Sequence, residues 1–292
     1  LDGTIKSIQT PNNQIPFFNG GSENDLNQFD KNLENFKLSK KNKKNILGGI
    51  FFAKSKQQSL YFDVGDPPSK NFSKNYQSGP LSFEYFLDGI KIITNCGFGS
   101  NISSKAELIS RLTASQSTLT INDTSVTRFE RNKLVNKTFG NSIKNYFKTS
   151  ELNFVDDKNA LGCSVSHNGY EKEFSCIHKR EIYLDKLNNK LRGTDYIFKK
   201  KDGLPIRYGN TSIRFELHYD DCGFLYYDGK ERDCIRSTPH HRVELGQGHN
   251  KDLSLGFKHK QDYWYTASFY FPKEHKFYRK QSVFQFHSSE GP

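Results

Sequence analysis

The stretch "GPLSFEYFLDGIKIITNCG", residues 79–97, decides the fold class. Two apolar-rich runs flank Leu87-Asp88-Gly89, a common hairpin-turn composition. Alternation puts Phe83 and Tyr85 on one face of the first run, with Ser82 and Glu84 on the other. The texture continues on both sides. "GGIFFAKSKQQSLYFDVG" (48–65) reads as two strands joined by a polar turn, and "STLTINDTSV" (117–126) as another alternating strand. "EFSCIHKREIYLDKLNNKLRGTDYIF" (173–198) gives two strands around "KLNNK", and "TSIRFELHY" (211–219) a further one. Short strands with turn signals at this spacing predict an all-β protein, an antiparallel β-sandwich.

Composition divides the chain into three. Residues 1–45 are polar, with weak helical periodicity in "ENDLNQFDKNLENFKL" (23–38) leading into a Lys-rich linker, "KLSKKNKKN" (37–45). Residues 46–219 hold the sandwich pattern. After residue 220 the texture changes: "CGFLYYDGKERDC" is loop-rich, and "HHRVELGQGH", "LSLGFKH", "DYWYTASFYFP" and "SVFQFH" are separate strand candidates. Residues 220–292 therefore read as the opening of a second β-domain, since about 70 residues fall short of the roughly 100 of a sandwich. The sequence begins with Leu and contains no Met, so it is expected to be a processed form or a piece of something longer.

The formal net charge of +11 points to an acidic partner: nucleic acid, a lipid surface or an anionic polysaccharide. Simple abundance of Lys accounts for it equally well. The Lys run carries no interleaved aromatics, and no recognition motif accompanies the charge, so nucleic acid is not expected. No stretch approaches the roughly 18 apolar residues of a membrane helix, so no membrane insertion is expected. Oligomeric state stays open. Of the five cysteines at least one is unpaired or bonded to another molecule. Cys222 and Cys234 flank a short loop and are either a bridge or two thiols.

Residues 46 to about 219 resemble the C-terminal β-sandwich of heparinase II/III-like proteins. The resemblance rests on "YFDVGDPP", "GPLSFEYFLDGIKIITNCG", "RLTASQSTLTINDTSV", "VSHNGYEKEFSCIHKREIYLD" and "LRGTDYIF", in that order. It implies a large helical toroid ahead of the β-domain, with the 23–38 helix as its remnant or linker. It also implies eliminative cleavage of uronic-acid polysaccharides. Better-known members carry a His-x-His motif before the "LSFE"-like strand, an Asp on the next strand and a His before the "STL"-like strand. These supply a catalytic His and a metal site. Here the matching positions are Asn75 and Gln77, then Asn95, then Gln116. Carboxamides are poor zinc ligands beside imidazole or carboxylate, so no metal and no other cofactor is expected. The β-domain alone is not expected to be a complete catalyst. His167, Tyr170 and His178 stand in "SHNGYEKEFSCIHKR", and the family shows a similar His-x-Gly-Tyr stretch. Either they contact substrate as an acid and base, or they hydrogen-bond internally and orient a loop.

A second resemblance, to jelly-roll lyases of the alginate-lyase type, rests on "RVEL" (242–245) and "QFH" (285–287) with the aromatic strand between them. It implies a partial jelly-roll segment. β-Elimination removes the weakly acidic C5 proton of a uronate once the adjoining carboxylate is neutralised. Arg242 suits a forked hydrogen bond to that carboxylate. Gln285 suits the charge developing on it, and His287 suits proton abstraction. Glu244 shares a strand face with Arg242 and would hold the guanidinium. The tyrosine acid of such sites would lie beyond Pro292. If the reading holds, Arg242, Gln285 and His287 belong on one face of one sheet. The alternative is an exposed ion pair and a polar strand face. His240, His241, His249 and His259 have spacings that fit no common zinc motif.

The function expected is therefore that of a polysaccharide-lyase-related protein. It would act on or bind acidic, uronate-containing glycans by β-elimination, incomplete or weakly active as this chain, in the periplasm, at the cell envelope or outside the cell. The rival is a non-catalytic glycan-binding or structural β-sandwich protein.

Overall fold

The computed structural model describes residues 7–21 and 45–199, apart from a few positions at 123, 133–139 and 189. Beyond 199 it describes the backbone of strands between 211 and 290. The helix expected over 23–38 and the bridge expected between Cys222 and Cys234 lie outside the described residues. Among the described residues no helix is long and apolar enough to cross a membrane.

The chain is all-β, its strands paired antiparallel, with few helices. It forms two compact units, residues 1–118 with 125–147, and residues 119–124 with 148–292. In the first unit β1 (Ile46–Leu47), β2 (Ile50–Lys54), β3 (Gln58–Asp63), β4 (Phe83–Leu87) and β5 (Ile90–Thr94) follow one another across a sheet. The turn read at Leu87-Asp88-Gly89 is tight. Leu87 pairs with Ile90, and Asp88 and Gly89 take φ of 52° and 79°, the double positive φ of a type I′ hairpin. The alternation expected in β4 does not yield one wet face, because Phe83, Glu84, Tyr85, Phe86 and Leu87 are all buried. The charge on Glu84 is met by Lys91 on the next strand, 3.4 Å away. A short helix, α1 (Ser104–Ser110), follows, its first turn capped by the Ser103 hydroxyl accepting from the Ala106 N–H.

The 45/46 boundary gives way to packing. Phe17 and Phe18 are buried, and Phe18 joins Phe52, Tyr61 and Phe86 in a core cluster. The Tyr61 hydroxyl and Lys54 Nζ both donate to the Gln9 carbonyl. Residues 7–21 thus pack into the first unit.

In the second unit the sheet order is β15 (Leu253–Lys258), β16 (Tyr263–Tyr270), β17 (Lys280–Glu290), β10 (Lys190–Lys199), β9 (Cys176–Asp185), β8 (Ala160–His167), β7 (Thr149–Asp156). Separately, β11 (Thr211–His218) pairs with β6 (Leu119–Ile121) and with β14 (His240–Leu245). β12 (Tyr226–Tyr227) and β13 (Lys230–Glu231) form a small ribbon, and α2 (Glu171–Phe174) is a single turn before β9. The 219/220 boundary is therefore not a boundary between sheets. β17 runs beside β10, Leu191 opposite Phe286, and strands from both sides of residue 220 share a sheet. The composition changes there, but strand pairing is long-range and local texture does not encode it. The β7–β8 hairpin was not legible from the pattern; the Asp157 carboxylate builds its turn by accepting from the Asn159 and Ala160 N–H groups.

β9 alternates strictly. Cys176, His178, Arg180, Ile182 and Leu184 are buried, while the residues between them are half-buried. In β10 the buried set is Leu191, Gly193, Asp195 and Ile197. Four chemistry-bearing side chains, from β8, β9 and β10, thereby reach the same interior.

Candidate functional site

The register sets that interior. His167 is opposite His178, and Arg180 is opposite Asp195. Cross-strand partners share a face, and here the shared face is sealed: His167, His178 and Arg180 are 0 % exposed and Asp195 1 %. The Gly169 N–H donates to His167 Nδ1 over 3.0 Å. The proton of His167 is then on Nε2, which donates to His178 Nδ1 over 3.0 Å. The remaining proton of His178, on Nε2, is donated to Asp195 Oδ1 over 2.6 Å. Arg180 closes the chain with a fork, Nε to Oδ1 at 2.8 Å and Nη2 to Oδ2 at 2.9 Å. Every link has one direction, from the Gly169 amide to the Asp195 carboxylate.

Electrostatics agree with that direction. Burial, then the neighbouring His178 and Arg180, hold His167 well below the ordinary histidine range. Burial likewise lowers His178, against the pull of Asp195. Burial alone would raise Asp195, but Arg180 and His178 outweigh it and bring the carboxyl to about 2. The pair of imidazoles is neutral and the carboxylate is charged and matched by Arg180. Tyr170, buried beside His167, donates its hydroxyl to the Leu119 carbonyl over 2.9 Å and more weakly to that of Thr124.

His167, Tyr170 and His178 were candidates for contact with substrate. Their burial corrects that expectation: the polar atoms point at one another and at backbone rather than at solvent. Of the two readings left open by the sequence, the internal one holds, and the network orients the 168–170 loop and anchors residues 119–124. Arg180 and Asp195 were missed. Their signal was an Arg and an Asp at inward positions of two alternating strands, where charged residues occur only when paired.

The register also separates the other candidates. Arg242 and Glu244 are on β14, opposite Glu216 and Arg214 of β11. Gln285 and His287 are on β17, in the seven-stranded sheet, with Gln285 opposite Arg192 and Ser268, and His287 opposite Thr266. The expectation of one shared sheet for Arg242, Gln285 and His287 is corrected. A tripeptide fixes which residues alternate, not which sheet its strand joins.

The positions matching the family's histidine and metal ligands lie in the first unit, and there the fit to a metal fails. Gln77 Nε2 donates to the Cys96 carbonyl at 2.7 Å and the Ser110 carbonyl at 3.1 Å, and Gln77 Oε1 accepts from the Gly20 N–H. Gln116 Nε2 donates to the same Ser110 carbonyl at 2.7 Å. Asn95 Oδ1 accepts from the Ser117 N–H at 2.9 Å. Gln77, Asn95 and Gln116 are buried, while Asn75 is exposed beside Gly20. The nitrogen of a carboxamide has no lone pair to offer a metal, and the oxygens of Gln77 and Asn95 are engaged by the Gly20 and Ser117 N–H groups. Among the described residues no group of three or more His, Cys, Asp or Glu is gathered that would hold a metal ion.

Comparison with known proteins agrees with the fold. The family model "Heparinase II/III-like, C-terminal" matches residues 43–292, on both sides of residue 220. Among solved structures the chain is similar to the heparan sulfate lyase HepC from Pedobacter heparinus, in a mutant form, at 13 % identity and a TM-score of 0.62. That match covers 98 % of this chain and 45 % of that one. It is also similar to a heparinase III, the BT4657 gene product, at 10 % identity and a TM-score of 0.61, covering 97 % and 42 %. A further heparinase III structure matches at 10 % identity and a TM-score of 0.61, covering 99 % and 45 %. The chain thus spans less than half the length of these structures. No curated protein matches the sequence.

Proposed function

Because the chain belongs to the heparinase II/III-like family through that family's C-terminal domain, we propose that it acts on or binds acidic, uronate-containing polysaccharides in β-eliminative chemistry. In this reading the described β-region supplies framework and glycan contact, and the proton-transfer groups come from elsewhere. The observation that carries it is the family match over residues 43–292. The net charge of +11 supports an anionic ligand. The similar structures named for heparan sulfate lyase and heparinase III make sulfated glycosaminoglycans the first substrates to try. In this reading such a ligand is met in the periplasm, at the cell envelope or outside the cell.

A second reading, a non-catalytic glycan-binding β-protein, is favoured by one observation. The described groups able to move a proton at the candidate positions are buried or replaced by carboxamides. One experiment separates the two: incubation with heparan sulfate, heparin, chondroitin sulfate, hyaluronan and alginate, followed by the ultraviolet absorbance of unsaturated uronate. Rising absorbance establishes elimination. Retained binding with no rise establishes the second reading. Neither binding nor product from any of these glycans rejects the proposal.

A further inference from the structure

Gln77, Asn95 and Gln116 do more than fail as ligands. They come from three separate segments: Gln77 precedes β4, Asn95 follows β5, and Gln116 precedes β6. Two of them converge on one atom, the Ser110 carbonyl at the end of α1. The third holds the amide of Ser117, the neighbour of Gln116, while Gln77 holds the carbonyl of Cys96, the neighbour of Asn95. Asn95 is thereby next to a partner of Gln77, and Gln116 is next to the partner of Asn95. The Gly20 N–H adds a fourth segment through Gln77 Oε1. Space is made for this arrangement: a Cβ on Gly79 would stand 2.9 Å from Gln116 Cγ and 2.9 Å from Ser82 Oγ, so a side chain there would displace the glutamine.

These segments are connections between strands, joined by isolated backbone bonds such as Ser78 N–H to the Arg111 carbonyl and Cys96 N–H to the Ser115 carbonyl. A cation ties such segments together by drawing several ligands to one point. Here the Ser110 carbonyl oxygen serves as the point for Gln77 and Gln116, and Asn95 joins them through the Ser117 amide. We propose that Gln77, Asn95 and Gln116 form a carboxamide clasp that replaces a bound metal as the cross-link of this corner, and that the corner is a dormant metal centre which three substitutions reopen. The clasp has one gap. Asn95 Nδ2 is buried and has no protein partner, whereas a carboxylate at 95 would carry no hydrogen there and would face a cation without that cost.

The test has three arms on the chain as it stands. The wild-type protein, loaded with zinc and dialysed, is expected to retain well under one zinc per chain, with a Tm unmoved by a chelator. One tightly held zinc per chain, with a Tm that chelation lowers, overturns the proposal. The triple variant Gln77→His, Asn95→Asp, Gln116→His is expected to take up one zinc per chain and to melt earlier on chelation; a folded triple variant that takes none overturns the convergence. Should the triple variant not fold, Gln116→Leu and Gly79→Ala decide. Each is expected to lower Tm by about 3–10 °C through lost buried hydrogen bonds, with no response to zinc. Unchanged melting in both overturns the clasp.

Discussion

His178 Nε2 lies 2.6 Å from Asp195 Oδ1, and both side chains are closed to solvent on adjacent strands of one sheet. The contact ends a chain of hydrogen bonds that begins at the Gly169 amide, and it lies next to the Arg180 fork. The second unit is therefore organised around a buried charge whose every partner is internal.

Asp195→Asn leaves Arg180 charged, buried and without its counter-ion. Loss of one member of a buried pair costs about 3–5 kcal/mol. Urea unfolding is expected to show a loss of that size, and Arg180→Met paired with Asp195→Leu should recover part of it. A single Asp195→Asn within about 0.5 kcal/mol of wild type would mean that the network does not hold the sheet.

Acid should act through the two histidines. Their folded pKa values lie below the unfolded value near 6.5. Their contribution is then complete above that pH and is lost as pH falls through it, since the unfolded chain takes up protons that the folded chain refuses. Asp195, held at about 2, loses its contribution only as pH falls below about 4. Asp63 opposes them: burial raises it to about 7, so its contribution falls as pH rises from about 4 toward 7. The difference between wild type and His178→Gln isolates the network. Between pH 5 and 6.5 the variant's stability is expected to change less steeply with pH, by up to about 1.4 kcal/mol per pH unit. Equal slopes would contradict neutral, buried imidazoles.

Tyr170→Phe removes the hydroxyl that holds the Leu119 and Thr124 carbonyls. The expected cost is about 1 kcal/mol, with faster amide exchange confined to residues 119–124 and to the 168–170 loop. Unchanged exchange in both segments would show that the anchor lies elsewhere.

Gly89→Ala places a side chain at φ of 79° in a two-residue turn, and Asp88 already sits at positive φ. A loss of about 1–2 kcal/mol is expected, while Asp88→Asn, compatible with the same turn, should be nearly neutral. Thermal melts of both variants check the pair, and a Gly89→Ala melt equal to wild type would contradict the turn assignment.

These contrasts bear on how far the sequence could be read. The β4–β5 hairpin was legible because its turn residues and its alternation are local. The β9–β10 pair was legible for the same reason, as two strands around "KLNNK". Burial was not legible. Glu84 alternates as a solvent-facing residue would, and only Lys91 on the neighbouring strand makes its interior position tolerable. The fate of Arg242, Gln285 and His287 depended on which strands β14 and β17 pair with, and pairing is decided by partners far along the chain. Asn75, Gln77, Asn95 and Gln116 stood out by identity, but the bonds of Gln77 and Gln116 to Ser110, and of Asn95 to Ser117, depend on how distant segments fold together.

The central claim is engagement of acidic, uronate-containing glycans, and calorimetric titration of the chain with heparan sulfate at two salt concentrations tests it most directly. The account predicts binding at low salt that weakens as salt rises, the signature of ion pairing with a polyanion, and no binding to a neutral glycan of similar length. Binding to neither glycan at low salt, or equal binding to both with no dependence on salt, would contradict it.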